Sequence, residues 1–242
     1  MTTRRTFLIL GGVALAAPAL ALGSKQSEQE HRLAEFRTSL SGRSPAQRHN
    51  ARWAVQRLNG AQISSGKVFS FNTQVGPWTR DEGVQRAPVS YGGILVPSWG
   101  GGVCQVSTTL YCAALLTGLT VVERTSHEVA PAYIPAGMDA AVAFQIADLK
   151  IKNPFAEPVT IHAEISGEQL ICRVTSPKPA TTEYQLAREL VSSQLPATIE
   201  GAHRQPGRTG VRVRLWRIAT QNGMSHRELC QETEYAALPR SL

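Results

Sequence analysis

The chain has 242 residues, 42% of them hydrophobic and 18% charged, which excludes a disordered chain as the default and leaves room for one medium domain with appendages. Its 25 Lys and Arg outnumber its 18 Asp and Glu, giving +7 at pH 7. That surface suits anionic polymers or simply aids solubility, and with no recognition-helix, zinc-finger or RNA-binding signature it argues against nucleic acid.

The chain opens MTTRRTFLILGGVALAAPALALGS. Arg4 and Arg5, the apolar run Phe7–Ala17 and Ala19-Leu20-Ala21 have the order of an export signal over residues 1–21. Thr3-Arg4-Arg5-Thr6-Phe7-Leu8 resembles the twin-arginine type, and a general secretory signal carrying two arginines is the alternative. Cleavage after Ala21 would remove two arginines and no acid, leaving +5. The expected location is the periplasm, the cell exterior or the cell envelope. No transmembrane helix is expected in the mature chain. No cysteine stands at the cleavage site, which argues against a lipoprotein anchor.

Residues 22–46 are polar and read as a linker that can carry a short helix over Glu28–Phe36. The domain is expected over 47–242. Residues 47–59 set Ala51, Ala54, Val55 and Leu58 on one helical face, closed by Gly60. Lys67–Asn72 alternates like a strand. Ala87–Tyr91 and Gly93–Val96 form a hairpin pattern around Gly92-Gly93. Residues 104–117 make a helix apolar over most of its circumference, hence buried, with Gly118 as its stop. Leu119–Arg124 is the next expected strand, and Thr125–Asp139 a proline-rich loop. Three strand-like runs then fill Asp139–Ser176, and Val211–Ile218 with Ser225–Glu232 make a C-terminal hairpin within segment 205–235. The order predicts an α+β fold in which a central buried helix beginning at Cys104 packs on an antiparallel sheet.

The chemistry centres on Cys104, where Gly100-Gly101-Gly102 runs into that helix. A helix N-terminus favours the thiolate, and glycines admit a substrate and offer N–H groups to an oxyanion. A nucleophile needs a base and an orienting group. His127 follows by 23 residues and Asp139 by 12 more, the chain order of transglutaminase-like and papain-like thiol enzymes. Gln105 can point an amide at the cleft. Ser107 and Thr108 can face a substrate or cap the helix. Glu123 and Arg124 can form an exposed pair or bind an anionic substrate. Trp78, Tyr91 and Trp99 suit stacking or a core. Cys104 and Cys112 lie about 12 Å apart along one helix, too far to bridge. Cys172 and Cys230 are the one candidate disulfide. No metal-ligand spacing appears, so neither metal nor cofactor is expected.

The same residues carry a family resemblance. Val68-Phe69-Ser70-Phe71-Asn72 with Val75-Gly76-Pro77, Ala87-Pro88-Val89, and above all Gly100 to Tyr111 (GGGVCQVSTTLY) resemble the VanW family. Val122-Glu123-Arg124, His127, Tyr133-Ile134-Pro135, Gly137, Asp139, Asp148-Leu149, Lys152-Asn153 and Pro158 continue the match, which covers 48–176 well. The resemblance implies a bacterial cell-envelope protein of the kind encoded among vancomycin-resistance genes, and carries no defined activity. Two readings therefore stand. One is a cysteine-centred enzyme carrying out acyl transfer or amide hydrolysis on peptidoglycan peptides. The other is a non-catalytic module that binds a cell-wall peptide or glycan or assists another envelope protein. Substrate and oligomeric state are not encoded legibly.

Overall fold

A computed structural model describes residues 30–200 and 206–241. The export signal and the first part of the linker lie outside the described residues. In chain order the elements are β1 (His31–Ser39), α1 (Pro45–Leu58), β2 (Ala61–Ile63), β3 (Val68–Ser70), α2 (Phe71–Val75), β4 (Arg86–Tyr91) and β5 (Ile94–Trp99). Then come α3 (Val103–Thr117), β6 (Thr120–Glu123), β7 (Lys150–Lys152), β8 (Val159–Ser166), β9 (Gln169–Ser176), β10 (Glu183–Gln194), β11 (Thr198–Ile199), β12 (Gly210–Gln221), β13 (Met224–Tyr235) and β14 (Arg240–Ser241). The fold is mixed α+β and mostly β, with 46% of the described residues in strands against 16% in helices.

Helix α3 is the centre. Of its 15 residues only Cys104 and Leu116 escape burial, as expected for a helix apolar nearly all round. It lies against β1 and β9 of the antiparallel sheet β1-β9-β8-β2, with α1 beside it. Sheets β3-β7-β6 and β10-β12-β13 and the hairpin β4-β5 surround this core. Helix α1 starts from a capping box in which Ser44 accepts from Gln47 N and Gln47 reaches back to the cap.

Three readings of the sequence are corrected here. The helix expected over Glu28–Phe36 is strand β1 where it is described. A register shift between Arg32 and Ala34 interrupts its alternation with β9, so Leu33 and Phe36, both packed on the core, fall three apart as they would on a helix. Of the long run after Asp139 only Lys150–Lys152 is strand; Ala143 and Ala147 close a tight turn with Gln145 at positive φ. The C-terminal hairpin is really a three-stranded sheet. Its unexpected member β10 is rich in helix formers (Glu, Leu, Ala, Arg) that here serve strand pairing with β12.

The glycine loop has a packing explanation. Gly102 caps α3 at φ 109°, a left-handed conformation, with no side-chain cap. A Cβ there would run into the Gln47 carbonyl oxygen of α1. Glycine is thus what lets α3 start directly against α1. Gly102→Ala is expected to cost about 3 kcal/mol or more in chemical denaturation. Gly83→Ala, also at positive φ but in open space, should cost only about 1 kcal/mol. Equal losses would show that the contact with α1 does not matter.

Candidate functional site

The site is assembled by one loop. The backbone N–H of Ala141 donates to Thr125 O at 2.8 Å, pinching the loop 125–141 shut at its neck. The neck is fixed to α3: Thr108 Oγ1 accepts from Ala140 N at 3.0 Å, and Ser107 Oγ donates to Ala140 O at 2.7 Å. His127 and Asp139 therefore stand side by side, over the first turn of α3 where Cys104 is the second residue.

The three residues form a row. His127 Nδ1 lies 2.6 Å from Asp139 Oδ2, and the His127 backbone N–H donates to the same oxygen at 2.8 Å. The imidazole is near enough to the Cys104 side chain for each group to shift the other's pKa. With Nδ1 held by Asp139, Nε2 is the nitrogen left for the sulfur. Cys104 Sγ also contacts Val142 O at 3.4 Å.

Asp139 is fully buried, which alone would raise its pKa. Hydrogen bonds from His127, the charge of Arg124 and the hydroxyl of Tyr235 hold it below its usual value instead. Arg124 Nη2 lies 2.8 Å from Oδ1, its Nε donates to the Asp139 carbonyl at 2.7 Å, and its side chain is only 6% exposed. Tyr235 donates to Oδ1 and accepts from Gly137 N–H at 2.7 Å.

The pKa values of His127 and Cys104 shift in opposite directions. Burial would depress His127, but its hydrogen bonds to Asp139 and Cys104 raise it to about 9. Burial would raise Cys104, but the hydrogen bond and charge of His127 bring it below its usual value. Burial pushes Cys112 and Cys172 up strongly and Cys230 up to about 11. All four cysteines are free. The candidate bridge Cys172–Cys230 is not formed; the two lie on different sheets, β9 and β13.

Several candidate substrate residues face inward. Gln105 is 1% exposed; its amide donates to Ser39 O at 2.8 Å and its Oε1 accepts from Arg43 Nε at 2.8 Å. Ser107 and Thr108 are buried and hold the neck of the loop, so they neither face a cleft nor cap the helix. Arg124 serves Asp139 rather than an outside anion. Glu123 pairs with Lys150 at 2.7 Å, not with Arg124. Gly100 and Gly101 pack tightly, against Trp78 and against the Ala87–Pro88 backbone. Trp78 stacks edge-on with Phe144, ring centroids 5.9 Å apart, while Tyr91 and Trp99 remain exposed on the hairpin. Tyr235 and Arg43 escaped the sequence reading, and Tyr133 entered it only as part of the family resemblance. Tyr133 Oη donates to Cys104 O at 3.2 Å and lies 3.0 Å from Thr108 Oγ1.

A cleft of about 500 Å³ lies between Ser70, Asn72, Glu123, Phe144, Asp148 and Lys150. It is lined by none of the three residues in the row. Among the described residues, no group of three or more His, Cys, Asp or Glu is placed to hold a metal ion.

Residues 46–175 match the family model described as VanW like protein, more than half of the chain. The chain belongs to the VanW family. It is 33% identical over 144 residues to the uncharacterized protein YoaR of Bacillus subtilis, covering 60% of this chain and 48% of that one. It is 30% identical over 143 residues to the vancomycin B-type resistance protein VanW of Enterococcus faecalis, covering 57% and 52%. The chain thus spans about half the length of these curated relatives. No solved structure matches it. The VanW match contains Cys104, His127 and Asp139 but ends well before Tyr235, so the C-terminal sheet supports Asp139 from outside the family segment.

Two outcomes follow from this geometry. Cys104 should be alkylated by iodoacetamide at pH 6 faster than the other three cysteines, by peptide mass mapping. Its rate should follow ionisation well below the usual thiol value of about 8.5 and change again near pH 9 as His127 loses its proton. In His127→Ala the main opposition to burial is gone, and the pH 6 rate should drop at least about tenfold. For stability, Asp139→Ala leaves the Arg124 guanidinium buried without its partner and should cost about 3–5 kcal/mol. Tyr235→Phe removes one buried hydroxyl and should cost about 1–3 kcal/mol. Because Asp139 is depressed, its stabilisation is present above the unfolded value of about 3.9 and fades as pH falls through the lower folded value. Denaturation of wild type and Asp139→Asn across pH 2–7 checks that sign.

Proposed function

We propose that this protein is an exported cell-envelope thiol enzyme that transfers or hydrolyses acyl groups of peptidoglycan peptides. The observation that supports it most is the row Cys104–His127–Asp139, with the thiol's pKa lowered and the imidazole's raised. That is the pattern of a thiolate–imidazolium pair held ready for attack. Its chain order, with the cysteine at the start of a buried helix and the histidine and acid following, supports a layout like that of papain and transglutaminase.

In this reading the Cys104 thiolate attacks the carbonyl carbon of an amide and forms a C–S bond. The carbonyl electrons move to oxygen, which the Cys104 backbone N–H in the first helical turn can stabilise, since such groups lack an intrahelical acceptor. The C–N bond then breaks, and the leaving nitrogen takes the proton of His127. A thioester and a neutral imidazole remain. Water or an amine attacks the thioester, His127 removes its proton, and the thiolate departs. Asp139 keeps its charge throughout and fixes the ring so that Nε2 faces the sulfur. The envelope location is carried over from the VanW family, the peptide substrate is this reading's own choice from the acyl chemistry of the row, and an export signal over residues 1–21 is consistent with the location.

The test is incubation of the purified protein with peptidoglycan stem peptides, read by mass spectrometry. Cleaved or exchanged peptide and an acyl adduct on Cys104 are expected. Cys104→Ala should remove both and leave the fold nearly unchanged, since one small side chain is lost. Binding of the peptides by both proteins, with no product from either, would favour a non-catalytic envelope-binding module.

A further inference from the structure

The charges around the nucleophile pair off, with one exception. Asp139 faces Arg124, and Cys104 faces His127. Arg43, in the turn between β1 and α1, has no carboxylate within salt-bridge distance among the described residues. It reaches the site nonetheless. Its guanidinium carbon lies 4.5 Å from the centre of the Tyr133 ring, and Tyr133 Oη donates to the Cys104 carbonyl at 3.2 Å. Its Nε is fixed on Gln105 Oε1 at 2.8 Å, the residue that follows the nucleophile. Gln105 in turn is anchored on Thr38 and Ser39. The fork is therefore held by one nitrogen, a ring face and a buried amide.

The remaining donors are open. Nη1 and Nη2 make no hydrogen bond to a described residue. Among the described residues the single buried side-chain nitrogen or oxygen without a partner is Asn72 Oδ1, so the two Arg43 nitrogens reach solvent. An arginine that is half-buried, positioned by its neighbours and left with a free pair of N–H groups presents the geometry that a carboxylate accepts in bidentate fashion. Burial in part also means that its charge is less screened than that of a surface arginine.

We propose that Arg43 is a specificity residue that binds a carboxylate carried by the substrate beside the bond attacked by Cys104. The substrate class is then a peptide with a free carboxylate near its scissile amide, at a terminus or on an acidic side chain. This rests on the reading of Cys104 as the nucleophile. It gives the Gln105 amide a defined part: Gln105 touches no substrate and positions the arginine that does. Arg43 lies just before the family match at 46–175.

Two small reagents separate charge recognition from thiol reactivity. Iodoacetate carries a carboxylate and iodoacetamide the neutral amide of the same size. The rate of each at Cys104 is measured by peptide mass mapping on the purified protein at pH 6, and the ratio of the two cancels any change in thiol acidity. Wild type should prefer iodoacetate more than free cysteine does. Arg43→Gln should lower the ratio about tenfold, the low end of what a local charge does to an encounter rate. Arg43→Lys, which keeps the charge without the fork, should restore part of it. A merely structural arginine would alter both rates together and leave the ratio alone. A ratio unchanged in Arg43→Gln, with Cys104 still reactive, overturns the carboxylate site and leaves the nucleophile standing. Failure of Cys104 to react with either reagent in the folded wild type overturns both.

Discussion

A single buried carboxylate organises this molecule. Asp139 has no exposure to solvent, and an ion of its size pays several kcal/mol in desolvation even after relaxation. The structure offsets this with donors from three directions: the backbone and ring of His127, the guanidinium of Arg124 and the hydroxyl of Tyr235. Those donors come from the loop beside α3, from the residue after β6 and from β13. The need to satisfy one charge thus fixes the loop that carries the histidine, and it also ties the C-terminal sheet to the VanW segment.

The acidity of Cys104 follows from a contest of terms. Burial disfavours the thiolate. The helix N-terminus favours it by about 0.3–1 kcal/mol in exposed cases and up to about 2 when partly buried. Burial raises the pKa of Cys172 strongly, and burial with the charge of Asp139 does the same to Cys112 on the same core. The imidazolium is therefore the deciding term, and Asp139 on the far side of the ring and Cys104 itself together favour its proton. Reactivity at position 104 is a property of the row, and the glycine loop contributes chiefly by letting α3 begin against α1.

Much of this could be read from local sequence. A glycine run entering an apolar helix marks the candidate nucleophile, and a histidine and an aspartate in chain order suggest its partners, because all three lie in one short stretch of the chain. Gln105, Ser107 and Thr108 defeat such reading. Alone on a helix they resemble site residues, but α3 is buried on all but its Cys104 and Leu116 positions, so their direction depends on sheets far away in sequence. Arg43 and Tyr235 are ordinary residue types that lie 61 and 131 positions from Cys104, and only the fold brings them in. Strand β1 was hidden for another reason: a bulge at Leu33 converts a two-residue period into a three-residue one.

The central claim is that folded Cys104 is a thiolate paired with protonated His127 near neutral pH. Thiolate absorbance near 240 nm, recorded from pH 4 to 10 as the difference between wild type and Cys104→Ser, reads this directly. The account predicts a one-thiolate signal already present at pH 7 and lost only in acid, well below the ordinary thiol value of about 8.5. A signal that appears only at or above that value would contradict it.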